Sequence, residues 1–311
     1  MRASVARRLG LPGGGPVARD ARTEATLDVL QAAVDPWTQP LTDETLFAWH
    51  AALFPTGRSG VMRIVTGAYR LHADPMQIVT ARLGRPDIVH YQAPDSADVP
   101  AHMAQLLVWF KQSQGTLDGL VRAALAHLWL ETIHPFEDGN GRVGRALVEL
   151  TLAQDMHSSQ RLFSLSQQLW LDRAGYYAQL QAATSQANKD VTPWVLWFVA
   201  CVEKACNATF EQMRTALAKN RYWAAVNNSH PSLSASQRKA LGRLFDAQPD
   251  GFAGGMSTEK YVHLTGVSRA TAYRELTELA ELGLLNKTGQ GRGTRYQWVV
   301  SGVQTGSALP Q

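Results

Sequence analysis

Apolar residues return at helical spacing over most of the chain. They predict a basic helical segment over Arg2 to Leu11, ended by the Gly10/Pro12 to Pro16 breakers. A helix over Asp20 to Val34 follows, then a break at Pro36 to Pro40. The next helix, Glu44 to Leu53, sets Leu46, Trp49 and Leu53 on one face and has Thr42 or Asp43 as its cap. Further on come an amphipathic helix over Val99 to Gln112 and one over Asp118 to Ile133 that is apolar nearly all round. A helix with no polar face belongs in the centre of a bundle. Helices over Arg142 to Met156, Leu171 to Ala183 and Val191 to Ala218 continue the pattern, the last entered through Pro193. One stretch breaks it. Gln77 to Thr80 and Ile88 to Tyr91 are strand-like about the turn Gly84-Arg85-Pro86, an isolated hairpin within about residues 76–94. A lone hairpin is marginally stable, so it must pack on helices or accept a partner strand.

After residue 229 the pattern changes. A Pro/Ser linker over 230–235 leads to helices over Ser236 to Ala247, Ser257 to Thr265 and Ser268 to Leu282. A short hairpin interrupted by Gly289, Gly291 and Gly293 returns through Tyr296 to Val300. That order is a winged helix. The expected organisation is a helical unit over 1–229, the linker, a winged helix-turn-helix domain over 236–300 and a disordered tail over 301–311, in a mainly α protein.

Composition narrows the class. Of 311 residues, 45% are hydrophobic and 18% charged, which excludes a disordered chain. A net charge of +4 permits an anionic ligand without demanding nucleic acid. Cys201 and Cys206, in one apolar helical run, are poorly placed to bond to each other, and two buried thiols suit a reducing compartment. The start shows no apolar core of about seven residues, so no secretory signal is expected. No run of about 18 apolar residues exists, so no membrane span is expected. These features predict a cytoplasmic protein.

Candidate chemistry concentrates between two apolar helices, in His134-Pro-Phe-Glu-Asp-Gly-Asn-Gly-Arg142, closed by Arg145. Gly139 and Gly141 let backbone amides approach an anion and turn inward as a nest. The helix that follows adds free N–H groups and a favourable dipole. Arg142 and Arg145 share a face and can hold different oxygens of a polyphosphate. Asp138 is a hard oxygen ligand for Mg²⁺, and Asn140 offers donors toward a phosphate. His134 is a base near neutral pH, while Phe136 reads as an apolar peg. Each feature alone is commonly structural. Their conjunction in twelve residues implies attack of a hydroxyl on a nucleotide phosphate.

The stretch HPFEDGNGRVGR resembles the Fic family signature, H-x-F-x-[D/E]-G-N-G-R-x-x-R, at every specified position. The resemblance extends from about Ser4 to Phe210 and implies a Fic-type helical bundle whose hairpin is a target-binding flap. It implies transfer of AMP from ATP to a hydroxyl side chain of a target protein. On that resemblance His134 deprotonates the hydroxyl, Asp138 binds Mg²⁺, Gly139, Asn140 and Gly141 form the anion hole, and Arg142 and Arg145 hold the phosphates. Gln77, Ile78, Val79, Ile88, Val89 and His90 would bind the target by strand addition, and Tyr176 and Tyr177 would line the adenine pocket.

One departure stands out. Many Fic proteins carry an inhibitory helix, [S/T]-x-x-x-E-[G/N], whose Glu pairs with the second motif arginine. No Glu of this chain precedes Gly or Asn. The expectation is a chain beginning just after that helix, or a partner supplying the Glu, with Arg145 unpaired and the enzyme unrestrained, modifying itself as well. In the winged helix, Leu276, Leu279 and Leu282 would face the core, and Arg269, Thr271, Arg274, Arg292 and Arg295, with Lys287, offer a basic surface. Residues 232–300 hold nine Lys/Arg against six Asp/Glu, which leaves DNA binding and a protein-contact or homodimer role both open. The alternatives to AMP transfer are a DNA-binding regulator using the Fic core as a nucleotide sensor, transfer of another phosphate-containing group, or removal of AMP.

Overall fold

The computed structural model describes residues 21–72, 76–80, 88–160, 163–184, 190–248 and 251–299. The expected helix at Arg2 to Leu11, the turn at Gly84 to Pro86 and the tail 301–311 lie outside them. The chain divides into two compact units, Met1–Phe210 and Glu211–Gln311.

The first unit is a helical bundle. Its helices are α1 (Ala21–Val34), α2 (Asp43–Leu53), α3 (Val99–Gln112), α4 (Gly119–Ile133) and α5 (Asn140–Asp155), followed by α6 (Leu165–Leu171), α7 (Arg173–Thr184) and the start of α8 (Thr192–Ser229). Thr42, rather than Asp43, caps α2, its hydroxyl accepting the Thr45 N–H. Asp118 caps α4, accepting from Leu120 and Val121. The all-round apolar character of α4 is explained by two cores on its two sides. Leu130 and Ile133 join Leu46, Trp49, Met103, Leu106 and Phe110 in one. Ala124 and Leu128 join Val148, Leu152, Leu165, Leu180, Trp194 and Phe198 in the other. The Trp194 indole donates to the Ala124 carbonyl at 2.8 Å and ties α8 to α4.

Three helix boundaries differ from expectation. α5 begins at Asn140, before Arg142, because Gly139 turns left-handed (φ 88°) and starts the helix early. The helix expected over Leu171 to Ala183 is α7, which opens at Arg173 after Asp172, whose carboxylate accepts the Gly175 N–H at 3.2 Å, and α6 before it was not expected. α8 runs well beyond Ala218 because Tyr222, Trp223 and Val226 have a core to enter in the second unit. Cys201 is buried as expected, but Cys206 is exposed, and neither is bonded.

The strands form antiparallel pairs. β3 (Gln77–Thr80) and β4 (Ile88–Gln92) are the expected hairpin. Its register shifts between Ile78 and Val79, so that Tyr91 and Val89 are paired and His90 is the extra residue of a bulge. The Tyr91 hydroxyl donates to the Thr132 carbonyl at 2.7 Å, fixing the hairpin's base on α4. β1 (Arg58–Ser59) and β2 (Met62–Arg63) make a second, unexpected hairpin, so the first is not isolated. Two-residue strands are too short for alternation to show.

The second unit contains α9 (Ala235–Phe245), α10 (Thr258–Thr265), α11 (Arg269–Glu281), β5 (Leu285–Thr288) and β6 (Arg295–Trp298). Met256 bridges to Tyr296 beside the hairpin, completing the winged-helix topology. Gly266, left-handed at φ 78°, ends α10. Leu276 and Leu279 are buried, but Leu282 is 38% exposed, because α11 ends at Glu281 and the chain turns before Leu282 can follow the buried face. Buried Glu275 accepts hydroxyls from Tyr261, Ser234 and Ser236 at 2.7 to 2.8 Å. Burial opposes its ionisation, yet those three donors hold its carboxyl below the usual glutamate range. A lowered folded pKa contributes stability present above the unfolded value and lost as pH falls through the folded one. Tyr261→Phe is expected to lower the unit's unfolding free energy by about 1–2 kcal/mol near neutral pH. Urea unfolding should show that difference shrinking once pH falls below the glutamate range.

Candidate active site

The loop between α4 and α5 starts with an unfavourable residue conformation. His134 caps α4 in the left-handed region (φ 50°, ψ 59°), where a residue with a β-carbon pays a steric cost. Buried Arg70 holds it there. The Arg70 guanidinium donates to the carbonyls of His134 (2.9 Å), Ile133 (3.5 Å) and Pro94, and its N–H donates to the Pro135 carbonyl. A cation at a helix C-terminus also complements the dipole.

The His134 imidazole is thereby oriented. Nδ1 lies 3.3 Å from the Glu131 carbonyl, which can only accept, so Nδ1 carries the proton and Nε2 keeps its lone pair. Burial, opposed by that hydrogen bond and assisted by the Arg70 charge, brings the His134 pKa down to about 4. Near neutral pH the ring is a neutral base.

His134 lines a cleft of about 1100 Å³ together with Asp138, Gly139, Asn140, Gly141, Arg142 and Arg145. Two further loop residues explain its shape. Phe136 is fully buried and stacks on His50 at 4.2 Å, as a peg should. His50 accepts the Gly67 N–H on Nδ1 and so donates from Nε2 to the Asp138 carbonyl at 3.0 Å. Gly139 is required twice, by its φ of 88° and because a Cβ would lie 2.8 Å from the Phe54 ring. The same ring sits 4.5 Å beneath the Arg142 guanidinium.

Asn140 corrects its sequence reading. Its side chain is buried and faces the loop, Oδ1 accepting the Phe136 N–H (2.9 Å) and Nδ2 donating to the Phe136 carbonyl (2.7 Å). One of its two side-chain N–H groups is thereby spent inside the loop, and the side chain is only 2% exposed. Its backbone N–H and that of Gly141 remain in the first turn of α5, where no intrahelical acceptor exists.

The Asp138 carboxylate is 37% exposed. Oδ1 accepts the Gly139 N–H at 2.5 Å and lies 3.8 Å from Arg142, and Oδ2 accepts the Ser59 hydroxyl. Among the described residues, Arg145 makes no hydrogen bond and no ion pair within 4.0 Å. Glu131 of α4 lines the cleft near it with a buried carboxyl whose pKa is pushed up to about 7 by burial, against the pull of the Arg145 charge.

Tyr176 and Tyr177 both line the cleft, but differently. The Tyr176 hydroxyl meets Nε2 of buried His127 at 3.1 Å, and Tyr177 is 39% exposed with Arg173 over its ring. Trp170 adds an exposed indole to the same wall. Of the residues expected in the flap, Gln77 lines the cleft beside Met76, its amide donating to Gln92 at 3.1 Å. Ile78, Val79, Ile88, Val89 and His90 are placed on β3 and β4 by their backbone.

In the second unit Arg269 and Arg274 are exposed on α11. Thr271 and Arg295 are less free than expected. The Thr271 hydroxyl meets Ser268 Oγ at 2.9 Å within the helix cap, and half-buried Arg295 donates to the Thr294 carbonyl. The Arg292 side chain falls outside the described set.

Sequence reasoning missed Arg70, His50, Ser59, Glu131 and Trp170. For Glu131 a signal existed, since an acidic residue in a helix apolar all round must be buried, and buried carboxyls mark sites. Asn140→Ala is expected to cost roughly 2 kcal/mol by leaving the Phe136 N–H and carbonyl unpaired in the core. Chemical denaturation checks it, and a variant as stable as the parent would deny Asn140 this role.

Comparison with known proteins agrees with this geometry. Residues 40–152 match the family model described as Fic/DOC family, and residues 253–299 match that of the transcriptional regulator DIP2311-like C-terminal domain. The protein adenylyltransferase fic-1 of Caenorhabditis briggsae is 29% identical over 174 residues, 56% of this chain and 32% of its own length. The protein adenylyltransferase Fic of Aedes aegypti is 28% identical over 204 residues, 65% of this chain and 35% of its own. The chain thus spans about a third of the length of these curated relatives. A crystal structure of a Fic family protein from Desulfovibrio desulfuricans G20 aligns with a TM-score of 0.49 at 22% identity, covering 97% of this chain and 81% of that one. Residues 40–152, which hold the loop and the two helices beside it, are thus similar to the Fic/DOC family, and residues 253–299 to the DIP2311-like C-terminal domain.

Proposed function

We propose that the chain transfers AMP from ATP to a hydroxyl side chain of a target protein, its own hydroxyls included. The observation that carries this reading is a neutral imidazole, its Nε2 lone pair free, in one cleft with a helix N-terminus and two arginines. Relatives named as protein adenylyltransferases support it.

His134 Nε2 takes the proton of the target hydroxyl as the oxygen bonds to the α-phosphorus and the bond to pyrophosphate breaks. The amides of Asn140 and Gly141 at the start of α5 face the phosphate charge, and Gly139 lets it approach. Arg142 and Arg145 hold the remaining phosphates in line. The residues present fit Mg²⁺ carried in with the nucleotide. No cluster of three ligating side chains exists among the described residues, and Asp138 offers one partly exposed carboxylate, which is how Mg²⁺ binds with phosphates. When bound, the ion would neutralise negative charge developing on the nucleotide phosphates. Tyr177, Tyr176 and Trp170 form the wall suited to adenine, and the β3–β4 hairpin accepts an extended target segment by strand addition.

The expected result is transfer of label from α-³²P-ATP to the protein, falling by about 10²–10⁴-fold in His134→Ala. Transfer from the γ position alone would overturn AMP transfer in favour of a kinase-like reaction. The named activity of the relatives disfavours a pure sensor. DNA contact by the second unit is a separate proposal, supported by exposed Arg269 and Arg274 on α11 and by the match to a regulator's domain. Binding to duplex DNA should weaken with salt and with Arg269→Ala/Arg274→Ala.

A further inference from the structure

Glu131 has no task in the reaction above, yet its place is unusual. It is 4% exposed, it lines the cleft, and its Oε2 lies 3.9 Å from His134 Nδ1. Its Oε1 is buried with no hydrogen-bond partner among the described residues. A bare buried carboxyl oxygen costs free energy until something engages it.

The candidate is Arg145. A Cβ on Gly141 would have Arg145 Nη1 at 3.3 Å and Glu131 Oε1 at 3.6 Å. One on Gly144 would have His127 Nδ1 at 2.9 Å and Glu131 Oε1 at 3.0 Å. The carboxyl and the guanidinium therefore flank the same side-chain-free gap between α4 and α5, without the ion pair being closed. Small rotations would join them.

We propose that Glu131 is an internal competitor for Arg145: its carboxylate and a nucleotide polyphosphate draw on the same guanidinium, so that polyphosphate binding is coupled to proton uptake by Glu131. This rests on reading the cleft as a nucleotide site.

The groups that face Glu131 are His127 and His134 from its own helix, Arg145 from α5 and Tyr176 from α7. Burial holds both histidines at about 4 and the Tyr176 hydroxyl well above its ordinary value, so none of the three changes charge near neutral pH. Glu131, at about 7, does. The Arg145 charge favours its ionised form. A polyphosphate on Arg145 offsets that charge and adds a like one, which raises the Glu131 pKa further. A ligand that raises a pKa binds with uptake of a proton from solvent, and no covalent bond changes. Affinity is then highest below the free-protein pKa and declines as pH rises through it. The device restrains the site from within the bundle, in a chain without a glutamate of the inhibitory pattern.

The test is calorimetric titration of the full chain with Mg²⁺ and α,β-methylene-ATP, which cannot transfer AMP, in buffers of different ionisation enthalpy. Expected is more proton uptake by the wild type than by Glu131→Gln. Expected too is a flatter pH profile in the variant and binding about 3–10-fold tighter above neutral pH, the scale of a 1 kcal/mol competitor. Equal uptake and equal pH slopes would overturn the coupling and leave the nucleotide site standing. No binding by either protein would overturn both. Should the variant fail to fold, difference infrared spectroscopy of the wild type answers alone. A protonated-carboxyl band should grow with the triphosphate analogue and not with adenosine, and its absence would overturn the proposal.

Discussion

The site depends on a helix that is made to stop in the wrong hand. Left-handed backbone at His134 is costly, and it persists because Arg70 takes up the carbonyls around it. That single reversal turns the chain out of α4 and aims Nδ1 back at the Glu131 carbonyl. It thereby leaves Nε2 as the lone-pair nitrogen. It also delivers Phe136 into the core, where the His50 stack and the two Asn140 hydrogen bonds fix the loop before α5 begins. His134, the loop and the start of α5 are therefore one rigid assembly, preorganised as the proposed reaction would require.

Centrality of α4 produces the rest. A helix buried on both sides has no solvent face for its polar residues, so each must find a use inside. Arg122 donates to Ser113, Gln154 and the Phe110 carbonyl and is satisfied structurally. His127 is taken by Tyr176. His127 Nδ1 and Glu131 Oε1 stay without a hydrogen-bond partner among the described residues, and Glu131 is the one whose carboxyl lies 3.9 Å from His134 Nδ1. Closeness of α5, permitted by Gly141 and Gly144, is what puts a carboxyl and a guanidinium on the two sides of one gap.

Much of this was legible in the sequence, for physical reasons that differ by element. The bundle helices show because burial imposes a period of 3.6 over many residues. The loop shows because so few residue types serve a phosphate and a proton together. What failed to show is whatever depends on contact across the chain. Arg70 and His134 are far apart in sequence, as are Ser59 and Asp138, and no local pattern pairs them. Asn140 was read as a donor to ligand because its amide is able to donate, but the direction it points is decided by the buried Phe136 backbone. The break at Asp172 was invisible because apolar spacing continues across it, while a carboxylate capping the next helix does not alter hydropathy. The two-residue strands β1 and β2 leave no period to read.

The flap's attachment has a consequence for selectivity. The hairpin is not fastened by its tip but at its root, where the Tyr91 hydroxyl holds the Thr132 carbonyl two residues before His134 and the Ala93 N–H meets the Met76 carbonyl. Burial pushes the Tyr91 hydroxyl up to about 12, so the tether stays intact across the physiological range. On the proposed strand addition, its rooted edge would work as a ruler whose zero mark is His134. A segment laid along it is measured in residue steps, and side chains alternate in facing at each step. Under that proposal, choice between neighbouring hydroxyls in a substrate would be a matter of phase along the strand, with sequence preference left to whatever surrounds it.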